Sequence, residues 1–210
     1  MISLYLARHG ETEENVRGIL QGITPGHLTD KGKRQAAETG AKLCGMHFDH
    51  VISSPLLRSR VTTEIILSQL GSVAEKREYS LPEGQAYVVC PLLRERDWGS
   101  LTLRPYAEGK AFLNHLPADV ETLAHGYRRA TVFVRFLLQR YDDPRGEVSV
   151  LAVGHGFIDR CILSVITGKD KSDIRRMENG EVRRIGIPSD WTGEQVSRLQ
   201  EPSADEVSAN

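Results

Sequence analysis

Apolar positions along the chain fall into short unbroken runs separated by stretches that repeat every three or four residues, the two periods of strand and helix. Runs at residues 2–6 and 50–53 read as strands, and a further apolar run spans 86–90. The run at 148–153 is the strongest and has the continuous apolar character of a strand covered on both faces. A last strand is predicted at 182–187. Between these lie four helices. Thr29-Asp30 caps one that begins near Lys31 and runs towards Cys44. Ser54-Pro55 opens a second, with Leu57, Val61, Ile65 and Ile66 on its apolar face and Gly71 at its end. A long third follows Pro117, striped by Leu123, Tyr127, Val134, Leu137 and Tyr141. The fourth follows Gly154-His155-Gly156, buries Phe157, Ile158, Cys161, Ile162, Val165 and Ile166, and stops at Gly168. The polar stretch 72–85, with Pro82-Glu83-Gly84, reads as a loop or insertion.

Strands alternating with helices predict an α/β fold: a three-layer αβα sandwich around a mostly parallel sheet. No repeat or linker divides the chain, so one domain is expected over residues 1–188, with a poorly ordered polar tail over 189–210. The 210 residues are ample for a sizeable core. Lys plus Arg number 27 and Asp plus Glu 28, so no global charge points to nucleic acid or to a membrane surface, and any cationic site must be local. Cys44, Cys90 and Cys161 are an odd number without close spacing, which fits reduced core thiols in a cytoplasmic protein. The N-terminus lacks the charged flank and long apolar region of a signal peptide, and no apolar run is long enough to span a bilayer.

The chemistry-bearing residues cluster where predicted strands end. Arg8-His9-Gly10 follows the first strand, Arg58 lies in the first turn after the second, and His155 follows the strand 148–153. In open α/β sheets the ligand crevice lies outside the carboxyl ends of the strands, so two arginines and two histidines should surround one crevice. Guanidinium forks suit phosphate, and imidazole can be nucleophile or acid/base.

The same places carry a family resemblance that covers about residues 1–187. Arg8-His9-Gly10-Glu11-Thr12 resembles the signature of the histidine phosphatase superfamily, which includes the cofactor-dependent phosphoglycerate mutases. Leu20-Gln21-Gly22, Ser53-Ser54-Pro55-Leu56 with Arg58, Leu93-Arg94-Glu95-Arg96-Asp97-Trp98-Gly99 and Val153-Gly154-His155-Gly156 are similar to its further motifs, in the family's order. The resemblance implies a phosphoglycerate mutase-like fold and a phosphohistidine mechanism. His9 would be the nucleophile, Glu95 the proton donor, and Arg8, Arg58 and His155 phosphate binders. Asn15, Gln21, Gly22 and Gly156 would lie against the substrate. Glu11 and Glu108 remain competitors for the acid role.

On this reading the cationic cluster keeps His9 neutral and meets the charge of the transferring phosphoryl group, so neither a metal nor another cofactor is required. Glu95 protonates the leaving alkoxide and then activates water, helped by an apolar setting beside Leu92, Leu93 and Trp98. The partner is a small phosphorylated metabolite, with no nucleic acid and no membrane; the oligomeric state is open. A mutase must also hold a second anionic group. The stretch 106–120 contains no arginine, and only Arg17, Arg94, Arg96 and Arg104 stand in candidate loops. The expected activity is therefore phosphomonoester hydrolysis, with a phosphoglycerate mutase as the alternative. The substrate itself is not legible.

Overall fold

Strand β1 (Ile2–Arg8) sits between two others and is buried on both faces, as its apolar composition requires. The computed structural model describes residues 1–70, 86–111 and 115–199. The other strands are β2 (His50–Ser53), β3 (Val88–Val89), β4 (Val148–Gly154) and β5 (Val182–Ile187). They form one five-stranded sheet in the order β3-β2-β4-β1-β5. Three neighbouring pairs run parallel and β5 runs antiparallel to β1.

Because side chains alternate across the pleat, each central strand feeds two cores. Ile2, Leu4 and Leu6 of β1, with Val148, Val150 and Ala152 of β4, face one layer. That layer is built by α5 (Leu123–Tyr141) and α6 (Gly156–Thr167). Ala7, Leu151 and Val153 face the opposite layer, where Leu43 and Ile66 pack at α2 (Asp30–Lys42) and α3 (Leu57–Gln69). Two short helices, α1 (Glu13–Val16) and α4 (Tyr106–Ala111), lie in the connections. The three-layer αβα architecture is thus the one expected. Thr29 caps α2 through the Gly32 N–H, and Gly168 ends α6 in the left-handed region, at φ 71°.

Four features depart from the sequence reading. The buried face of α3 is Arg58, Ser59, Thr62, Thr63 and Ile66, while Leu57 is exposed. This helix passes over the strand ends, and its polar side chains hydrogen-bond there, so tertiary contacts override its apolar periodicity. Asp159, outside the apolar face read for α6, is fully buried. The described part of the presumed tail packs: Val196 is in the core, with Trp191 and Leu199 against it. Cys90 and Cys161 are buried, but Cys44 is exposed. The stretch 72–85, read above as a loop or insertion, the Gly71 before it and the last residues of the chain lie outside the described residues.

No helix among the described residues is long and apolar enough to cross a membrane. Nor do those residues include a group of three or more His, Cys, Asp or Glu side chains that could hold a metal ion.

Candidate active site

The loop after β1 turns sharply against the start of α2. A side chain on Gly10 would place its Cβ 2.2 Å from the Gly32 carbonyl oxygen, so only glycine permits this approach. His9 is pinned within that turn. Its N–H donates to Gly154 O (3.2 Å), and its own carbonyl accepts from Asn179 Nδ2 (3.0 Å). The ring Nδ1 lies 2.7 Å from Gly10 O. A carbonyl can only accept, so Nδ1 carries the proton and Nε2 keeps its lone pair. His9 is buried, and its pKa is held well below the usual imidazole value, first by burial and then by the charges of Arg58 and Arg8. At neutral pH the ring is therefore an uncharged imidazole.

Both arginines are anchored by main-chain carbonyls rather than carboxylates. Arg8 Nη1 donates to Met177 O at 2.6 Å. Arg58 Nη1 donates to Thr24 O (2.5 Å) and Nη2 to Gly22 O (2.8 Å). In each the buried Nε has no hydrogen-bond partner among the described residues. Burial lowers each guanidinium to about 10, so both remain charged. A charged, incompletely satisfied donor facing a cleft is chemically suited to bind an anion.

His155 caps the start of α6 and lies directly behind His9, with ring centroids 5.0 Å apart. Its Nε2 is 2.7 Å from Ser54 Oγ and 3.1 Å from Ser59 Oγ, while Nδ1 is buried without a partner among the described residues. Burial, followed by Arg58 and His9, holds this ring neutral too. A hydroxyl donating to Nε2 leaves the free Nδ1 as a second N–H donor.

Glu95 closes the opposite wall. Its Oε1 accepts from the Arg96 N–H (2.8 Å) and from the Phe157 N–H (3.2 Å) in the first turn of α6. The loop that carries it is tied down by a buried ion pair. Arg129 meets Glu121 through Nε–Oε1 (2.8 Å) and Nη2–Oε2 (2.9 Å), and its Nη1 donates to Leu92 O and Arg94 O. Glu121 Oε2 also accepts from Asp97 N (3.1 Å), so one bidentate pair grips the loop on both sides of Glu95. The apolar setting foreseen for Glu95 differs in detail: Trp98 and Phe157 line its cleft, whereas Leu93 points into the core. Neither competing carboxylate lines the cleft. Glu11 pairs with Lys31 at 2.8 Å and Glu108 with Arg104 at 3.7 Å.

Together these groups surround a cleft of about 300 Å³ at the carboxyl ends of β1 and β4. Of the residues singled out from sequence, Arg8, His9, Asn15, Gln21, Gly22, Arg58, Glu95 and Gly156 line it, and His155 stands behind it. Gln21 Nε2 donates to Thr12 Oγ1, and Asn15 Oδ1 accepts from Asn179 Nδ2 at 3.2 Å. Gly156 packs closely there, since a Cβ would lie 3.1 Å from Arg176 Nε and 3.5 Å from Arg8 Nε.

Arg96, Arg160, Lys171 and Arg176 also line the cleft. Sequence reasoning counted Arg17, Arg94, Arg96 and Arg104 as the available extra cations, and this is corrected. Only Arg96 of that set lines the cleft; the others pair with Glu13, Glu121 and Glu108. Arg160 lies outside the apolar face read for α6, and the segment between α6 and β5 gave no local signal.

The sequence profile of the histidine phosphatase superfamily (branch 1) matches residues 4–199. Proteins named probable phosphoglycerate mutase GpmB are 29% identical to this chain, that of Cronobacter sakazakii over 236 residues and that of Klebsiella pneumoniae over 224 residues. Each match covers 99% of both chains. Among solved structures, Bacillus stearothermophilus YhfR aligns with a TM-score of 0.73 at 23% identity, covering 90% of this chain and 92% of its own. The alpha-ribazole phosphatase of Shigella flexneri aligns at 0.70 and 25% identity, covering 89% and 91%. A mycobacterial glucosyl-3-phosphoglycerate phosphatase aligns at 0.71 and 19% identity, covering 87% and 88%. With the fold, the clustered arginines and histidines, and a profile match across nearly its whole length, the chain belongs to the histidine phosphatase superfamily.

Proposed function

We propose that the protein hydrolyses a small phosphomonoester through a phosphohistidine intermediate. The observation that carries this is the fixed tautomer of His9: Nδ1–H is committed to Gly10 O, so Nε2 presents a lone pair beside the free donors of Arg8 and Arg58. In the first step Nε2 attacks phosphorus while the bond to the alkoxide breaks. Glu95 gives its proton to the leaving oxygen, and Arg8, Arg58 and the Nδ1–H of His155 stabilise the phosphoryl oxygens. In the second step water attacks the phosphohistidine, Glu95 takes the water's proton, and His9 is restored.

Solved phosphatases that align over most of the chain support water as acceptor. A mutase is the second reading, supported by the curated relatives' names and by the extra cations in the cleft. The test supplies 3-phosphoglycerate primed with 2,3-bisphosphoglycerate and follows 2-phosphoglycerate and free phosphate together, with and without chelator. Phosphate release unaffected by chelation supports the hydrolase; rapid isomer exchange with little release overturns it in favour of the mutase.

A further inference from the structure

The cleft carries more positive charge than one phosphate needs. Six of its lining residues are Arg or Lys and a single one, Glu95, is a carboxylate. Arg8 and Arg58 are the deep pair beside His9, with Arg176 alongside Arg8 at Gly156. Arg96, Arg160 and Lys171 form a second group around Phe157. Arg96 lies 5.1 Å and the Lys171 ammonium 5.8 Å from its ring centroid. Arg160 donates through Nη2 to the Lys171 carbonyl, which ties α6 to the loop after it, and its buried Nε has no hydrogen-bond partner among the described residues. Among the described residues none of Arg96, Arg160, Lys171 and Arg176 forms an ion pair with a carboxylate. Asp170, the acid next in the chain, takes Oδ1 hydrogen bonds from the Ser172 N–H and hydroxyl, both at 2.6 Å.

Like charges gathered in a partly buried place repel and cost desolvation, so a ligand that brings opposite charge recovers both terms. Burial lowers the pKa of both Arg160 and Lys171, helped at Lys171 by the charge of Arg160 and at Arg160 by that of Arg176, against Asp170, which raises both. Spacing sets the size of that ligand. Arg160 follows Gly156 by one turn of α6, a rise of roughly 6 Å, so the outer group stands a few bonds beyond the phosphate seat. A cleft of about 300 Å³ suits a compact molecule rather than a polymer.

We infer that Arg160 and Lys171 form a second anion subsite, and that the substrate carries, a few bonds from its phosphomonoester, another anionic group: a carboxylate or a second phosphate. This rests on the phosphohistidine reading for the inner seat but makes a separate claim about the outer one.

Binding is measured by calorimetry on His9→Ala, which lacks the nucleophile and therefore does not consume its ligand. Two pairs are compared, each differing by one anionic group: 3-phosphoglycerate against glycerol 3-phosphate, and fructose 1,6-bisphosphate against fructose 6-phosphate. A Kd ratio of about tenfold or more is expected in at least one pair, the first identifying a carboxylate and the second a phosphate. Adding Arg160→Met with Lys171→Met should bring that ratio to within about twofold of one, whereas Arg160→Lys, which keeps the charge, should retain most of it. If the double variant fails to fold, Lys171→Gln alone should lower the ratio. Ratios near one in both pairs, or a ratio the substitutions leave untouched, overturn the subsite. Phosphate release by the unmodified protein from the same compounds tests hydrolysis independently: no release with the Kd ratio intact removes the hydrolase reading and leaves the subsite in place.

Discussion

At the inner end of the cleft, His9, Arg8 and Arg58 are held by carbonyls of Gly10, Met177, Gly22 and Thr24; at the outer end, Arg160 and Lys171 lean on one another across a loop. The inner groups are nearly inaccessible, with Arg58 only 1% exposed, whereas Arg160 and Lys171 are half-buried. The difference separates two tasks. Strand ends and main-chain acceptors fix the atoms that do chemistry, where a displacement of 1 Å costs rate. Loop and helix-face side chains set which molecule is accepted, and they can change without disturbing the sheet.

The sharpest way to break this comparison is at the inner end. His9→Ala should lower turnover on the order of 10⁴-fold or more, because the covalent route is lost. Rapid-quench labelling should show the phosphoenzyme in the unmodified protein and none in the variant. Near-normal activity in the variant would remove His9 as nucleophile.

A smaller loss is expected one step away, where Arg129 and Glu121 hold the Glu95 loop. Arg129→Met should lower kcat by about 10–100-fold for alkyl phosphates and much less for p-nitrophenyl phosphate, whose leaving group needs little protonation. Equal losses on both substrates would mean that the ion pair supports the fold rather than the acid.

The next prediction concerns Asp159, buried beneath Gly154, with neither carboxyl oxygen hydrogen-bonded among the described residues. Burial, reinforced by Glu95, raises its pKa well above the usual carboxylate range. The folded protein then holds a proton that the unfolded chain releases above about pH 3.9, so this group costs stability increasingly as pH rises from there. Asp159→Asn should therefore stabilise the protein at pH 7, and the gain should vanish below about pH 4. The two buried histidines act in the opposite sense. Their pKa values are depressed, so they withdraw stability as pH falls below about 6.5, the unfolded value. Denaturant titrations across this range, with and without the substitution, separate the two trends.

The smallest effect on activity is expected far from the cleft. Val196→Ala should cost about 1.5–2 kcal/mol by removing two buried methyl groups, with activity at permissive temperature unchanged. An unaltered melting temperature would show that the chain beyond Ser189 does not contribute to the core.

Much of this was legible in the residues because local rules and tertiary outcome agree. The apolar run of β4 is buried on both faces, Thr29 caps α2, and Gly168 ends α6. Arg8, His9 and Arg58 line one cleft, with His155 behind it, because each follows a strand end, where chain order predicts convergence, whereas Glu95 was singled out only by the family resemblance. On α3 the rule failed. Its apolar residues recur at helical spacing, yet Arg58, Ser59, Thr62 and Thr63 are the buried ones. Periodicity reports which side chains avoid water, but a helix crossing a polar site buries whatever that site hydrogen-bonds.

Taken alone, the amino-acid order determined the layers, the mostly parallel sheet and the set of groups gathered at its carboxyl edge, since strand period, caps and turn glycines act between residues close in the chain. Tertiary structure alone decided that Arg160, Lys171 and Arg176 reach the cleft, that Asp159 is sealed in the core, and that Arg129 and Glu121 brace the acid loop. These outcomes depend on which face of α5 or α6 the sheet covers and how the segment before β5 folds back. Such long-range packing leaves no mark on the local pattern, because an arginine on a helix has the same neighbours in sequence whether it meets water, a carboxylate or a cleft.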